Sequence, residues 1–285
     1  MSGERFISYG QNNEDVVLWR ALQHVAAGHY VEVGADHPRT NSATRAFYDH
    51  GWSGVTVEPV PQYAALHREQ RSRDRQIEAV VTSAPGSTVP TARLDDLFAA
   101  TGWGHGDIQF MLIDVERAAD VLSTVDLSVW RPWVLVVEGT VSASTAGQDL
   151  RPESNGETWE PAVLAAGYEF CLFDGVSRFY VAEEHSELRP VLSYPACVLD
   201  DFARFQEEDL KAHHADQLAA ANRELLYWRS VAIRSWGGAM AGRRSESVPL
   251  KNAISVLKAK VPRRLKAPLR KVRNAQRALA RRARR

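Results

Sequence analysis

Three acidic residues, Glu58, Asp114 and Glu138, each stand directly after an apolar run that reads as a β-strand, and Gly34 closes a fourth such run. Open α/β sheets bind ligands in the crevice outside the carboxyl ends of their strands, so acids at those ends are placed to meet one. Gly34 opens the segment Gly34-Ala35-Asp36, where a residue without Cβ lets the backbone come close to a ligand. Glu58 follows roughly 20–25 residues later, the separation expected of an acid that accepts hydrogen bonds from the two vicinal hydroxyls of a ribose. The segment GADHPR lacks the GxGxxG fingerprint, which speaks against a pyrophosphate cradle. On spacing alone, a nucleoside site and an ordinary turn between strand and helix remain equally open.

The elements that must hold these residues alternate between strand and helix character. Val16 to Val25 is apolar at helical spacing and ends at Gly28. Tyr30 to Val33 reads as a strand, and Ser42 as the cap of a helix that buries Ala43 and Phe47 and stops before Gly51. Gly54 to Val57 is a second strand, Pro61 opens the next helix, and Ile77 to Val81 is a short third strand. Phe110 to Ile113 and Trp133 to Val137 read as buried central strands. Runs that are apolar on both faces and separated by helices predict a doubly wound, Rossmann-like α/β fold with a mainly parallel sheet. Tyr168 to Phe173 and Arg178 to Val181, joined by Asp174-Gly175-Val176-Ser177, predict an antiparallel hairpin that closes it.

A formal net charge of zero conceals a split: residues 251–285 contain Lys and Arg but no Asp or Glu. The expected organisation is a domain over 1–205, a helical connector over 206–236, a linker over 237–250 opened by Gly237-Gly238, and a basic amphipathic tail over 251–285. An apolar stripe from Ile254 to Val272 with a basic opposite face suits an anionic membrane surface. A solubilising tail is the plainer alternative. Two cysteines, Cys171 and Cys197, exclude a disulfide framework and offer no zinc cluster. No stretch approaches the roughly 20 apolar residues of a membrane span, and no leader pattern opens the chain, so a cytoplasmic protein is expected, peripheral at the inner face of the membrane if the tail binds there.

SYGQNNEDVVLWRAL, followed by YVEVGADHPRTNSATRAFYDHGWSGVTVEP, resembles the opening of the FkbM-family methyltransferases. IDVE at 113–116, RPWVLVVEGT at 131–140 and the segment WEPAVLAAGYEFCLFDGVSRFYVAEEH at 159–185 continue the likeness in the family's order, over roughly residues 6–203. The resemblance implies transfer of a methyl group from S-adenosylmethionine to a hydroxyl of a sugar-containing, glycolipid or polyketide-type acceptor, a lipid-linked small molecule included. It implies that Glu32, Gly34, Ala35, Asp36 and Ser42 frame the cofactor, that Glu58 holds its ribose, and that Asp114 and Glu116 stand at the mouth of the site. Asp114 is the candidate general base or acceptor-positioning residue, with a helix N-cap as its plainer role. His37 is the second candidate, because an imidazole titrates near neutral pH, and an ordinary loop histidine is its plainer role. No ligand spacing argues for a metal, and no base-reading motif argues for specific nucleic-acid binding.

The sequence departs from that family's Lys-Ile-Asp-Val-Glu-Gly-x-Glu pattern. Leu112 stands for the lysine, Arg117 for the glycine and Ala119 for the last acid, while Ser177 replaces an asparagine in the hairpin turn. Arg117 is expected either to obstruct the site or to place a cation in it. The connection after Val80 is short and predicts a reduced pocket wall. A catalytically degenerate domain that binds cofactor or glycan, or scaffolds partner enzymes, is therefore the alternative to an active methyltransferase.

Overall fold

A computed structural model describes residues 5–84, 89–138 and 158–242. In chain order the elements are β1 (Phe6–Ser8), α1 (Glu14–Leu22), β2 (His29–Val33), α2 (Arg45–Asp49), β3 (Ser53–Val57), α3 (Pro61–Gln70) and β4 (Arg75–Ile77). Then follow β5 (Val80–Val81), β6 (Thr91–Ala92), α4 (Leu94–Ala99), β7 (Ile108–Ile113), α5 (Ala118–Leu122), β8 (Val134–Glu138) and α6 (Glu160–Ala165). The last are β9 (Tyr168–Phe173), β10 (Ser177–Ala182), α7 (Arg189–Leu192), β11 (Phe202–Arg204) and α8 (Phe205–Gly242).

Seven strands form the main sheet in the order β4-β3-β2-β7-β8-β10-β9. β4, β3, β2, β7 and β8 pair in parallel, and β10 runs antiparallel to both β8 and β9. This is the expected doubly wound sheet with its hairpin. Successive side chains point to opposite faces, so each strand feeds two cores. Val31, Val55, Met111 and Leu135 pack on one side with Phe98 of α4, Val121 of α5 and Val163 of α6. Tyr30, Phe110, Val134 and Phe179 pack on the other with Leu18 and Leu22 of α1, Phe47 of α2 and Leu192 of α7. All six residues of β7 are buried, as a central strand covered on both faces requires.

Several elements differ from the expectation. The strand expected over Ile77 to Val81 is two: β4 extends the main sheet, while β5 pairs with β6 in a separate ladder. Glu58 N–H donates to the Ile77 carbonyl at the end of β4, and the chain then leaves the sheet. Ser42 does not cap α2, whose N-cap is Thr44 with no side-chain cap bond. Its hydroxyl is drawn into the buried network described below. β1 and β11 were not foreseen; they pair in parallel, Phe6 opposite Phe202, from distant parts of the chain. The expected linker start at Gly237-Gly238 is helical in the structure, because α8 continues to Gly242 through neighbours of good helix propensity.

Residues Met1–Leu210 form one compact unit and Lys211–Arg285 another. The described part of the second is the remainder of α8, whose Leu218, Leu225, Ile233 and Trp236 are exposed. The basic tail expected over 251–285 lies outside the described residues. Among the described residues no helix is long and apolar enough to cross a membrane.

Beneath the carboxyl end of β2 lies a buried charge network. The Arg71 guanidinium, at the end of α3 and shielded from solvent, donates to Thr44 Oγ1 at 2.9 Å, to Ser42 Oγ at 3.2 Å and to Glu32 Oε2 at 3.4 Å. Asp74 Oδ2 lies 3.7 Å from the same guanidinium and accepts from the Tyr30 hydroxyl at 2.8 Å. Asp74 Oδ1 accepts from Gly54 N–H at 2.9 Å, and Thr44 Oγ1–H donates to Glu32 Oε2 at 2.5 Å. The network therefore ties β2, β3, the 42–44 loop and the approach to β4 to one cation. Burial raises the carboxyls of Glu32 and Asp74 above their ordinary range, and Arg71 opposes that rise.

Removing one partner of a buried ion pair strands the other, at a cost of about 3–5 kcal/mol. Arg71→Leu is expected to lose about that much in urea unfolding, while Arg68→Leu, in an exposed pair with Glu78, loses less than about 1 kcal/mol. Equal losses would remove the network from its structural role.

Candidate functional site

At the carboxyl ends of β2, β7 and β8 lies a cleft, open to solvent, with a cavity volume of about 60 Å³. It lies where the strand order reverses, β2 leading outward through β3 and β4, and β7 leading the other way to β8. That is the switch point at which doubly wound sheets bind ligands. Its wall comprises Glu32, Gly34, Ala35 and Asp36 after β2, Leu112, Ile113 and Asp114 of β7 and its end, and Glu138 of β8. Gln11 and Glu14 close it from the N-terminal loop, Asn41 and Ala43 from the approach to α2, and Val176 and Ser177 from the β9–β10 turn.

Gly34 makes the floor possible. It has φ +82°, and a Cβ there would lie 2.0 Å from the Asp114 carbonyl oxygen and 2.8 Å from Val115 Cγ1. The β2 and β7 ends can meet only at a residue without a side chain. Gly34 and Ala35 N–H both donate to the Val57 carbonyl, at 3.0 and 3.2 Å, and Asp114 N–H donates to the Val33 carbonyl at 2.9 Å. Three strand ends are thus laced into one backbone ledge.

Glu58, expected to hold a ribose, engages backbone N–H groups with both oxygens. Oε2 accepts from Asp36 N–H at 2.8 Å and Oε1 from Val60 N–H at 2.7 Å, and the residue is buried outside the cleft wall. It clamps the Gly34–Asp36 turn, in which Asp36 takes the left-handed φ of 44°. Ser42 is likewise outside the wall, 3.5 Å from Glu32 Oε1 and held by Arg71. His37 turns its Nδ1 to the N–H groups of Arg39 and Thr40, both at 3.1 Å, and packs edge-on against Tyr63. That acceptor nitrogen is spent on its own loop, and the ring is not part of the wall. Glu116 is exposed beyond it. Of the ten residues singled out from the sequence, the cleft gathers Glu32, Gly34, Ala35, Asp36, Asp114 and Glu138. Asp114 is not a helix cap, since the N-cap of α5 is Arg117.

Arg117 neither obstructs the cleft nor charges it. Its side chain is 76% exposed and pairs with Asp120 one turn along α5. Ser177, by contrast, is buried in the wall.

The residue that sequence reasoning missed is Glu14. The helical pattern read from the sequence begins at Val16, whereas α1 begins at Glu14 itself, where the helix dipole favours an acid. The fold buries Glu14 to 5% exposure. Asn13 turns the chain with φ 63°, and Gly10 bridges to Asn41, which brings the loop over the cleft. Asp15 anchors the loop from beneath, accepting from the Ser8 hydroxyl at 2.7 Å, Tyr9 N–H at 2.6 Å and Gly10 N–H at 3.1 Å. Asn12 N–H donates to Glu14 Oε2 at 3.0 Å, while Asn12 Nδ2 donates to the Asp174 carbonyl at 3.2 Å. Asp174 Oδ1 in turn accepts from Val176 and Ser177 N–H at 2.8 and 2.7 Å. The N-terminal loop and the hairpin turn are stitched together across the mouth.

Electrostatically the wall is one-sided. Among the described residues it holds five acidic side chains, from Glu14, Glu32, Asp36, Asp114 and Glu138, and no Lys, Arg or His. Burial pushes the Glu14 carboxyl up to about 7, with Asp15 and Asp174 adding to the rise and backbone N–H groups opposing it. Burial likewise pushes Asp15 up to about 6 against its three hydrogen bonds. Among the described residues no group of three or more His, Cys, Asp or Glu is placed to hold a metal ion.

No protein-family model matches the sequence, and no curated protein matches it. Solved structures do resemble the fold. The SAH-bound methyltransferase PaMTH1 of Podospora anserina is 12% identical, with a TM-score of 0.40 over 60% of this chain and 77% of that one. An SAH-complexed O-methyltransferase from Bacillus cereus is 14% identical, with a TM-score of 0.34 over 59% and 78%. A TehB-like SAM-dependent methyltransferase from Corynebacterium glutamicum is 9% identical, with a TM-score of 0.35 over 58% and 87%.

Because the folded carboxyl of Glu14 is raised above its unfolded value near 4.5, the native state binds the extra proton. Its contribution to stability is full below that value and is lost as pH rises through about 7. Wild type is expected to lose stability relative to Glu14→Gln between pH 5 and pH 8, by about 1–3 kcal/mol, in parallel urea titrations. A difference that does not change with pH contradicts the assignment.

Proposed function

We propose that this chain is an S-adenosylmethionine-dependent O-methyltransferase of FkbM type, acting on a hydroxyl of a sugar-containing or lipid-linked small-molecule acceptor. One observation carries the cofactor reading: a cleft at the β2/β7 switch point that the described residues line with five acidic side chains and no basic one. A dinucleotide brings a pyrophosphate and is favoured by cations or a glycine-rich helix N-terminus to meet it, and the described wall has no cation and no GxGxxG turn. S-adenosylmethionine has no phosphate and carries positive charge at sulfur and at its amino group, which an acidic wall favours.

The residues fit such a ligand. The ledge at Gly34, where a Cβ would strike the Asp114 carbonyl, lets the backbone of residues 34–36 form a wall without side-chain obstruction. Gly34, Ala35 and Asp36 would hold the cofactor from the β2 side, with Glu32 behind them and Asp114 opposite. When bound, the sulfonium supplies an already activated methyl group. The chain's own contribution is then alignment and exclusion of water, which can account for much of a group-transfer rate. Asp114, at the mouth and open to solvent, is the group placed to accept or share the proton of an acceptor hydroxyl. Arg117 turned outward to Asp120 supports an active site rather than a degenerate one. The hydroxyl-bearing sugar acceptor is supported by the sequence resemblance, and an uncharged polyol agrees with an acidic mouth.

Calorimetric titration with S-adenosylmethionine, S-adenosylhomocysteine and NAD tests the reading. Saturable binding of the first two and none of the third is expected, with affinity weakened about tenfold by Asp114→Asn, the loss of one charge-assisted contact. Absence of binding at millimolar S-adenosylmethionine contradicts it.

A further inference from the structure

The N-terminal loop gives the cleft a group that the methyltransferase reading does not use. Glu14 enters from the far side of the mouth, opposite the Gly34 ledge, and is held there by backbone rather than by a cation. Asn12 N–H meets Oε2 at 3.0 Å, and a Cβ on Gly10 would stand 2.7 Å from the same oxygen, so the loop is closed tightly around the carboxyl. Among the described residues no Lys, Arg or His forms an ion pair with it. The charged groups around it come from every neighbouring element. Asp15 lies beside it on α1, and Asp174 faces it from the β9–β10 turn. Glu32 of β2, with Arg71 behind it, Asp36, Asp114 and Glu138 share its cleft. Arg204 of β11 reaches the loop but spends its Nε on Asn13 Oδ1, at 3.2 Å.

We propose that Glu14 is the cofactor-charge sensor of this cleft: it holds a proton while the cleft lacks a cation and releases it when the sulfonium enters. The inference rests on the cofactor reading above. Its physical basis is the balance of charge in a space poorly reached by water. Ionising a buried carboxyl beside four other acids is costly, so without a cation in the cleft Glu14 stays largely neutral near pH 7, in keeping with its raised carboxyl. A positive ligand reverses that cost, and the O–H proton passes to solvent as the carboxylate forms. S-adenosylmethionine and S-adenosylhomocysteine share adenosine and amino-acid parts and differ in the methyl group and the charge on sulfur. The proton therefore follows the one feature that separates cofactor from spent product. After methyl transfer the sulfur is neutral, Glu14 takes a proton back, and the hold on the product weakens. Glu14 is in this way a specificity-determining residue that favours turnover over product retention.

The test is isothermal calorimetry of the full chain with each of the two ligands at pH 6 and pH 8, for wild type and Glu14→Gln. Each titration is run in two buffers of different ionisation enthalpy, to count protons released. Comparing the two proteins cancels titration of the ligands themselves. In wild type the preference for S-adenosylmethionine over S-adenosylhomocysteine should grow about tenfold from pH 6 to pH 8 relative to Glu14→Gln, the effect of one linked proton. Wild type should also release a fraction of a proton on binding S-adenosylmethionine at pH 7 that the variant does not. The proton count in wild type stands even if the variant folds poorly. If both ligands bind and their preference changes with pH equally in the two proteins, Glu14 is not the sensor and the cofactor reading survives. If wild type releases no more protons with the sulfonium than with the thioether, the inference fails in the same way. If neither ligand binds wild type, the cofactor reading falls and this inference with it.

Discussion

A guanidinium removed from water must be matched, and much of this domain is arranged to match one. Arg71 is shielded from solvent at the end of α3, and the groups around it come from three separate parts of the chain. Once the cation is there, Glu32 and Asp74 become necessary as counter-charges, and their remaining lone pairs call for Thr44, Tyr30 and the Gly54 N–H. β2 and β3 are thereby locked to the loop that precedes α2. That loop carries Asn41 and Ala43 into the cleft wall, so the shape of the site follows from a charge that never touches it.

The site itself joins rigid and adjustable parts. On the sheet side, the Gly34 ledge is fixed by backbone hydrogen bonds to Val57 and by contact with the Asp114 carbonyl, with Glu58 clamping the turn beyond it. Opposite, the loop carrying Gln11 and Glu14 is anchored by the buried Asp15 and joined to the hairpin turn through Asn12. A carboxyl raised to about 7 sits in the second part, where charge on a ligand can act on it. The proposed preference for a sulfonium over a phosphate-bearing ligand rests on the acidic character of the described wall rather than on any single contact.

The features legible in the sequence were those set by local pattern. Runs apolar on both faces gave the parallel strands, Asp174-Gly175 gave the hairpin, and Gly34 with its strand gave the ledge. What failed depended on distant partners. Arg71 looks like any polar residue ending a helix until Glu32 and Asp74 are seen around it. Glu58 has the spacing of a ribose ligand, yet spacing says nothing of whether Asp36 and Val60 N–H will claim its oxygens. Ser42 has the type and place of a cap, but a buried guanidinium competes for its hydroxyl. β1 and β11 are three residues each, too short to carry a period, and they pair from distant parts of the chain. Glu14 was hidden for a related reason: an acid at a helix start has an adequate local explanation, and only the tertiary path through Gly10 and Asn13 puts it in the cleft.

The account's central claim, that the β2/β7 cleft takes a nucleoside-bearing sulfur cofactor between its ledge and its N-terminal loop, is tested most directly by hydrogen exchange with and without saturating S-adenosylhomocysteine. The account predicts slowed exchange in two separated segments at once, residues 10–14 and 34–36, with the exposed helix beyond residue 211 unchanged. Slowed exchange confined to other surfaces, or none at a ligand concentration that saturates binding, would contradict it.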